Sequence, residues 1–263
     1  MPTIMRPGAM INYEAWGDSG PWITLINGHL RPLTDFRMLG QRLVREGFRV
    51  LAADNRGAGL SRVEGPFTLE DMARDVIAIW DELECPASAV LGISMGGFIS
   101  LTLARMVPGR LNRLILMSTA SHAKVLRSDE PSWNEDPDKV FTKLSTYFAA
   151  DFVRRNNLLV QSMAKQMARS AAGGGLQAQA ELQRAAIRGF DASEALAAIK
   201  VPTLVIHGKE DSVIRPMEGE SLARGIPGSQ LALLPSTGHL ILAERPKELF
   251  DLVMRFCRES VVE

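Results

Sequence analysis

Between Glu84 and Arg105 the chain runs for twenty residues without a charge, from Cys85 to Ala104. That is close to the length at which a helix spans a bilayer. The composition of the run argues against a span, because Pro86, Gly92, Gly96 and Gly97 interrupt it and Ser88, Ser94, Ser100 and Thr102 are scattered through it. The segment reads instead as a buried strand, a sharp turn and a buried helix. Such a segment has to be enclosed, which requires a sizeable core. With 263 residues, 46% of them hydrophobic and 23% charged, the chain has the length and apolar content to build one. The same figures exclude disordered, collagenous and coiled-coil chains.

Thirty Lys and Arg balance thirty Asp and Glu, and no block of basic residues breaks the mixture. A nucleic-acid or membrane partner therefore has no electrostatic footprint here. Cys85 and Cys257 are the only cysteines, and Met1 to Gly20 lacks the basic, apolar and small-residue sections of a secretory signal. The expectation is a cytoplasmic protein whose cysteines are core thiols.

Around the uncharged run, short apolar stretches alternate with stretches of helical period, the pattern of a parallel sheet covered on both faces. Strands buried on both faces read as continuous apolar runs. Such runs are 22–26, 49–53, 89–93, 111–117, 203–206 and 230–234, while Met10 to Trp16 alternates and suits an antiparallel edge hairpin with a Gly17–Gly20 turn. Helices are expected at 36–46, 69–83, 97–107, 217–224 and 246–258, each with apolar residues three or four apart. From Ser121 to Gly189 no convincing strand occurs. Helices are expected there at 139–148 and 152–169, ended by Gly173-Gly174-Gly175, so that 121–189 forms a helical lid within a sheet domain of 1–120 and 190–263.

Within the uncharged run lies Gly92-Ile93-Ser94-Met95-Gly96, a G-x-S-x-G that follows a strand and opens a helix. A serine at the apex of so sharp a turn needs small residues on either side, which Gly92 and Gly96 supply. The helix that follows directs the Met95 amide at an oxyanion forming there. Serine needs a base, and the chain has four histidines: His29, His122, His207 and His239. His239, on a loop after the last strand, shares with Ser94 the carboxyl edge of the sheet, where ligands of open α/β sheets bind. The orienting acid should fall between serine and histidine in the chain. Asp211 fits, with Glu210 as its immediate rival, whereas Asp129 lies too deep in the lid.

These residues resemble the α/β-hydrolase family over the whole chain apart from the lid. Besides the elbow, Asp54-Asn55-Arg56-Gly57-Ala58-Gly59-Leu60-Ser61 resembles the family's D-x-R-G-x-G-x-S turn, Val201 to Asp211 its acid-bearing strand, and Gly238-His239 its histidine loop. The resemblance implies an α/β fold with a mostly parallel eight-stranded sheet, helices on both faces and an inserted helical cap. It implies a triad of Ser94, Asp211 and His239, with the amides of Met95 and His29 as the oxyanion hole. Asn27 stands where the family carries histidine before the glycine, which alters the support of that loop. Asp54 and Arg56 are assigned to a structural turn.

The function so implied is hydrolysis of a small to medium, mostly apolar carboxylic ester, lactone or thioester through an acyl-enzyme, with no cofactor and no metal. Phe148, Tyr147, Phe152, Met163 and Met167 are the candidates to wall its pocket. The His29 ring is a candidate to touch the substrate. Ser94-Met95-Gly96-Gly97 also resembles cofactor-free haloperoxidases and carbon–carbon bond hydrolases of this fold, and a ligand-binding receptor with little turnover is the reading from another class. The sequence leaves open whether copies assemble into a homo-oligomer.

Overall fold

A computed structural model describes residues 2–125, 136–171 and 175–259. The strands are β1 (Thr3–Arg6), β2 (Ala9–Trp16), β3 (Trp22–Ile26), β4 (Arg49–Ala53), β5 (Arg62–Val63), β6 (Ser88–Ile93), β7 (Leu111–Met117), β8 (Thr203–Gly208) and β9 (Gln230–Leu234). Among the described residues they form one nine-stranded sheet in the order β1-β2-β4-β3-β6-β7-β8-β9, with β5 paired to β2. From β4 to β9 every pairing is parallel.

Two features of the edge differ from the sequence expectation. The antiparallel hairpin exists, but β2 turns back on β1 and pairs on its other side with β4. The Gly17–Gly20 segment therefore leads away from the hairpin, carrying the chain past β4 to β3. The ninth strand is the two-residue β5, which pairs with Ala9 and Met10.

The helices are α1 (Arg37–Arg45), α2 (Leu69–Glu82), α3 (Met95–Met106), α4 (Pro137–Ser145), α5 (Ala150–Arg155), α6 (Asn157–Ala171), α7 (Gly175–Ile187), α8 (Pro216–Gly225), α9 (Ile241–Glu244) and α10 (Pro246–Arg258). Strand side chains alternate between two cores. Val90, Leu114, Leu116 and Val205 face Trp80 of α2 and Phe98 of α3, whereas Leu91, Ile115, Leu204 and Ile206 face Leu43 of α1 and Val253 of α10. The period of two that splits these residues is the pleat of a strand covered on both sides.

The uncharged run becomes β6, the turn at Ser94 and α3. Its buried hydroxyls are satisfied locally: Ser100 donates to Gly96 O at 2.7 Å, Thr102 to Phe98 O at 2.9 Å, and Ser88 lies 2.8 Å from Thr24, which accepts from Trp80 Nε1. Paired hydroxyls avoid the desolvation penalty that would otherwise accompany their burial. No helix among the described residues is long and apolar enough to cross a membrane. Burial pushes the thiols of Cys85 and Cys257 up to about 11, so neither is a ready thiolate near neutral pH.

Between β7 and β8 the described residues carry helices α4 to α7 and, apart from an isolated bridge of His122 with Asp191, no strand pairing. The helix expected at 152–169 divides at Asn156 into α5 and α6, and a further helix, α7, begins at Gly175. Gly173, Gly174 and Asp129 lie outside the described residues. Helices α4 and α6 pack through Val140, Leu144, Val160, Ala164 and Ala168, with Leu30 and Leu240, from the loops after β3 and β9, partly buried against this cluster.

Candidate active site

At Ser94 the backbone has φ 54° and ψ −117°, a conformation that side-chain-bearing residues rarely adopt. Holding it costs on the order of 1–3 kcal/mol, which the surrounding structure must over-determine. The constraints are visible. The Ser94 amide donates to Met117 O at 2.9 Å, and its carbonyl accepts from the Gly97 amide and from Thr119 Oγ1, both at 2.8 Å. A Cβ on Gly92 would strike Ser100 Oγ and the Gly96 carbonyl, and one on Gly96 would strike the Ile26 carbonyl. Both glycines are therefore required by space. Met95 is the first residue of α3, where amides have no intrahelical acceptor.

The acid and the histidine meet at the ends of β8 and β9. Asp211 Oδ2 lies 2.8 Å from His239 Nδ1, and both residues are buried. The other carboxylate oxygen, Oδ1, accepts from the amides of Val213 and Ile214, each at 2.9 Å, which locks the side chain across its own turn. Glu210 is exposed, whereas Asp211 is buried against His239. Burial by itself would raise the Asp211 carboxyl, but the charge of His239 and the hydrogen bonds from His207 and His239 outweigh it and hold the group below the usual carboxylate range. A carboxylate only accepts, so neutral His239 carries its proton on Nδ1 and leaves Nε2 as the basic nitrogen.

His207 is the part of this cluster that the sequence did not reveal. It sits in β8, 0% exposed, with Nε2 2.8 Å from Ile214 O and 3.3 Å from Asp211 Oδ2. Two imidazoles thus share one carboxylate oxygen. A histidine at a strand tip signals packing in sequence, and only the fold of the 208–211 turn brings the acid back onto it. His122 stands apart, with its ring 3.8 Å from Glu218 and its backbone bridged to Asp191.

Ser94 and His239 are both tied to the end of β7. Met117 accepts the Ser94 amide, and the next residue, Ser118, donates its hydroxyl to His239 O at 3.0 Å. Among the described residues no hydrogen bond joins the Ser94 hydroxyl to the His239 ring; such bonds are often long in unliganded sites and tighten with substrate. On the opposite side, a Cβ at Gly28 would lie 3.3 Å from Ser94 Cβ, so the loop 27–31 passes directly over the serine. Asn27 supports that loop, accepting the Gly28 amide at 2.8 Å and donating to Pro32 O at 2.8 Å and Asp35 Oδ2 at 3.0 Å. Asp54 accepts the amides of Leu33 and Leu60 and the side chain of Asn12, and Arg56 forms a two-point pair with Asp75. Both therefore brace the turn.

The helical segment grips the two loops that flank Ser94. The amides of His239 and Leu240 both donate to Tyr147 O, at 2.8 and 3.2 Å, and the Tyr147 ring meets the His239 ring edge-on at 5.6 Å between centroids. Glu244 accepts from Gly238 N at 2.9 Å and Ala149 N at 3.1 Å, a single carboxylate spanning both segments. Burial pushes that carboxyl up, against the two amides and Arg245 that favour its charge. Across the site, the His29 ring Nε2 lies 3.2 Å from Ala180 O of α7. That ring contact goes to the helix backbone. Tyr147, Phe152, Met163 and Met167 are partly buried at the rim of the α4–α6 cluster, whereas Phe148 is within it. Among the described residues no His, Cys, Asp and Glu cluster gathers in the manner of a metal site.

Known proteins match this chain along nearly its whole length. A family model described as serine aminopeptidase, S33, matches residues 21–246. The chain is 27% identical over 257 residues to 3-oxoadipate enol-lactonase 2 of Acinetobacter baylyi, covering 93% of this chain and 92% of that protein. The crystal structure of the enol-lactonase from Burkholderia xenovorans LB400 superposes with a TM-score of 0.82 at 26% identity, covering 98% of this chain and 100% of the other. MGS-M2, an alpha/beta hydrolase enzyme from a Medee basin deep-sea metagenome library, superposes with a TM-score of 0.91 over 100% of this chain and 99% of the other, and its 19% identity speaks to the fold alone.

Proposed function

Since the chain belongs to the serine aminopeptidase S33 family of α/β-hydrolases, we propose that it cleaves small to medium, mostly apolar esters or lactones through an acyl-enzyme on Ser94. It is an ester-hydrolysing enzyme of that superfamily. The observation that carries it is the Asp211–His239 pair, 2.8 Å apart and buried at the sheet edge, beside a serine held in a strained turn.

In this reading His239 Nε2 takes the Ser94 hydroxyl proton as Oγ attacks the substrate carbonyl, and Asp211 stabilises the imidazolium that results. The carbonyl oxygen, now carrying the negative charge, is received by the amides of Met95 and His29. His239 returns the proton to the departing alkoxide. Water then repeats the sequence on the acyl-enzyme, releasing the acid and restoring the serine. For a lactone the leaving hydroxyl remains part of the acyl group, and the second step releases a single hydroxy acid.

A mostly apolar acyl group fits the rim described above, where Leu30, Tyr147, Phe152, Met163, Met167 and Leu240 are partly buried around the helical cluster. Arg31, with Nη1 3.9 Å from Met167 Sδ, is already held by both oxygens of Asp35 at 2.7 and 2.8 Å. Its charge is thus met within the protein. The test is turnover of p-nitrophenyl esters from acetate to dodecanoate together with simple γ- and δ-lactones. The expected profile is measurable turnover with kcat/KM highest for short and medium acyl chains. Absence of turnover on every member, or equal rates from Ser94→Ala, would overturn the reading.

A further inference from the structure

Helix α7 carries a buried side chain that the acyl-transfer scheme leaves without a role. Gln183 is 0% exposed, although its helix neighbours Glu181 and Ala185 face solvent. Both ends of its amide are taken by the sheet domain: Oε1 accepts the Leu30 amide at 2.8 Å, and Nε2 donates to the Arg56 carbonyl at 2.7 Å. A main-chain N–H only donates and a carbonyl only accepts, so the flipped amide would lose both bonds. One turn earlier on the same helix, Ala180 O meets the His29 ring at 3.2 Å.

Residues 28–31 form a turn closed by the Arg31 amide on Gly28 O at 3.2 Å. Leu30, at its third position, has φ 59°. A positive φ at that place is normally supplied by glycine, and a branched side chain there is an outlier that persists only under constraint. Gln183 supplies the constraint, since the atom it holds is the amide of Leu30 itself. Released from it, Leu30 would relax toward negative φ by rotating the His29–Leu30 peptide, and the turn that carries the His29 amide would shift with it.

We infer that Gln183 is a positioning residue for the oxyanion loop, through which the seating of α7 sets the geometry of the His29 amide. The inference rests on the acyl-enzyme reading above. It makes the helical segment part of the rate machinery as well as of the pocket. An error of about 1 Å in such a donor is enough to cost two orders of magnitude in rate.

The test uses p-nitrophenyl butyrate as substrate and an aryl trifluoromethyl ketone, which adds to the serine as a hemiketal and places an oxyanion in the hole. Gln183→Leu should lower kcat about ten- to a hundredfold with KM within about threefold, and should weaken the ketone by the factor lost in kcat. Leu30→Gly, in which glycine takes the positive φ unaided, should restore most of that loss when combined with Gln183→Leu. Glu181→Gln, at an exposed position of the same helix, should change each constant by less than about twofold. Should Gln183→Leu fail to fold, Gln183→Asn is too short to reach both partners and is read in the same way. An unchanged kcat, a loss confined to KM, no rescue by Leu30→Gly, or an equal loss in Glu181→Gln would overturn the inference. If the wild type neither turns over the ester nor binds the ketone, the acyl-enzyme reading falls; if it does both and the Gln183 variants match it, only the role of Gln183 falls.

Discussion

Around β6 and α3, the interior is filled by Leu91, Phe98, Ile99 and Leu103, each essentially without exposed surface, and β6 and its neighbour β3 are buried along their whole length. Helices α4 and α6 meet through smaller groups, with Ala164 and Ala168 facing Val140 and Leu144 and with methionines half-exposed at the rim. What ties the second region to the first is in good part polar: Gln183 to Leu30 and Arg56, Glu244 to Gly238 and Ala149, and the Tyr147 carbonyl to His239 and Leu240. Large close-packed side chains resist displacement in every direction, whereas a small core seated by a few directional bonds is held at chosen points. The sheet can therefore keep the strained Ser94 and the buried Asp211–His239 pair in place, while the helices are held at a few points. The points at which the helices are held are the two loops beside Ser94.

The comparison is broken most severely at the acid. Asp211→Asn should lower kcat by about three to four orders of magnitude, because the tautomer of His239 is no longer dictated, while Glu210→Gln at an exposed site should cost less than about twofold. Steady-state kinetics on one p-nitrophenyl ester separates the two; the reverse order would mean that the neighbouring carboxylate is the acid. Packing is the next contrast. Phe98→Ala in the sheet domain should cost about 3–5 kcal/mol and Val160→Ala between α4 and α6 about 1–3 kcal/mol, measured by urea unfolding. Equal costs would erase the distinction drawn between the two cores.

Acid pH sharpens the same contrast more gently. The folded Asp211 carboxyl is held below its free value of 3.8, so its pairing stabilises the protein above that value and the contribution is lost as pH falls through the lower, folded one. The gap in urea midpoint between wild type and Asp211→Asn should accordingly be widest near neutrality and narrow below pH 3.8. A constant gap would mean that the carboxylate is not held by its two histidines. The smallest effect belongs to the rim. Met167→Ala should leave kcat on the acetyl ester within about twofold and shift the preferred acyl length upward, with stability changed by less than about 1 kcal/mol, since that side chain is only partly buried.

The sheet was legible because parallel strands covered on both faces have to be mostly apolar, as 22–26, 49–53 and 111–117 are. The glycines around Ser94 were legible for a related reason, since strain at the apex leaves no room beside it. Strand β1 escaped notice because four residues with alternate exposure resemble a loop. Helix α7 escaped because alanine and glutamine carry almost no hydrophobic contrast, and Gln183 is buried despite a polarity that marks it for the surface. The contact of His207 with Asp211 arises only when the turn after β8 closes. Pattern reveals what a residue type requires of its surroundings; it does not reveal which distant group meets the requirement.

The central claim is that Ser94 is the nucleophile of an acyl-transfer site built on the sheet edge. The most direct measurement is reaction with a fluorophosphonate, followed by intact-mass and peptide mass spectrometry. A single adduct on Ser94, absent from Ser94→Ala and formed far more slowly in Asp211→Asn, is the predicted result. No adduct on the wild type, or the same adduct on Ser94→Ala, would contradict it.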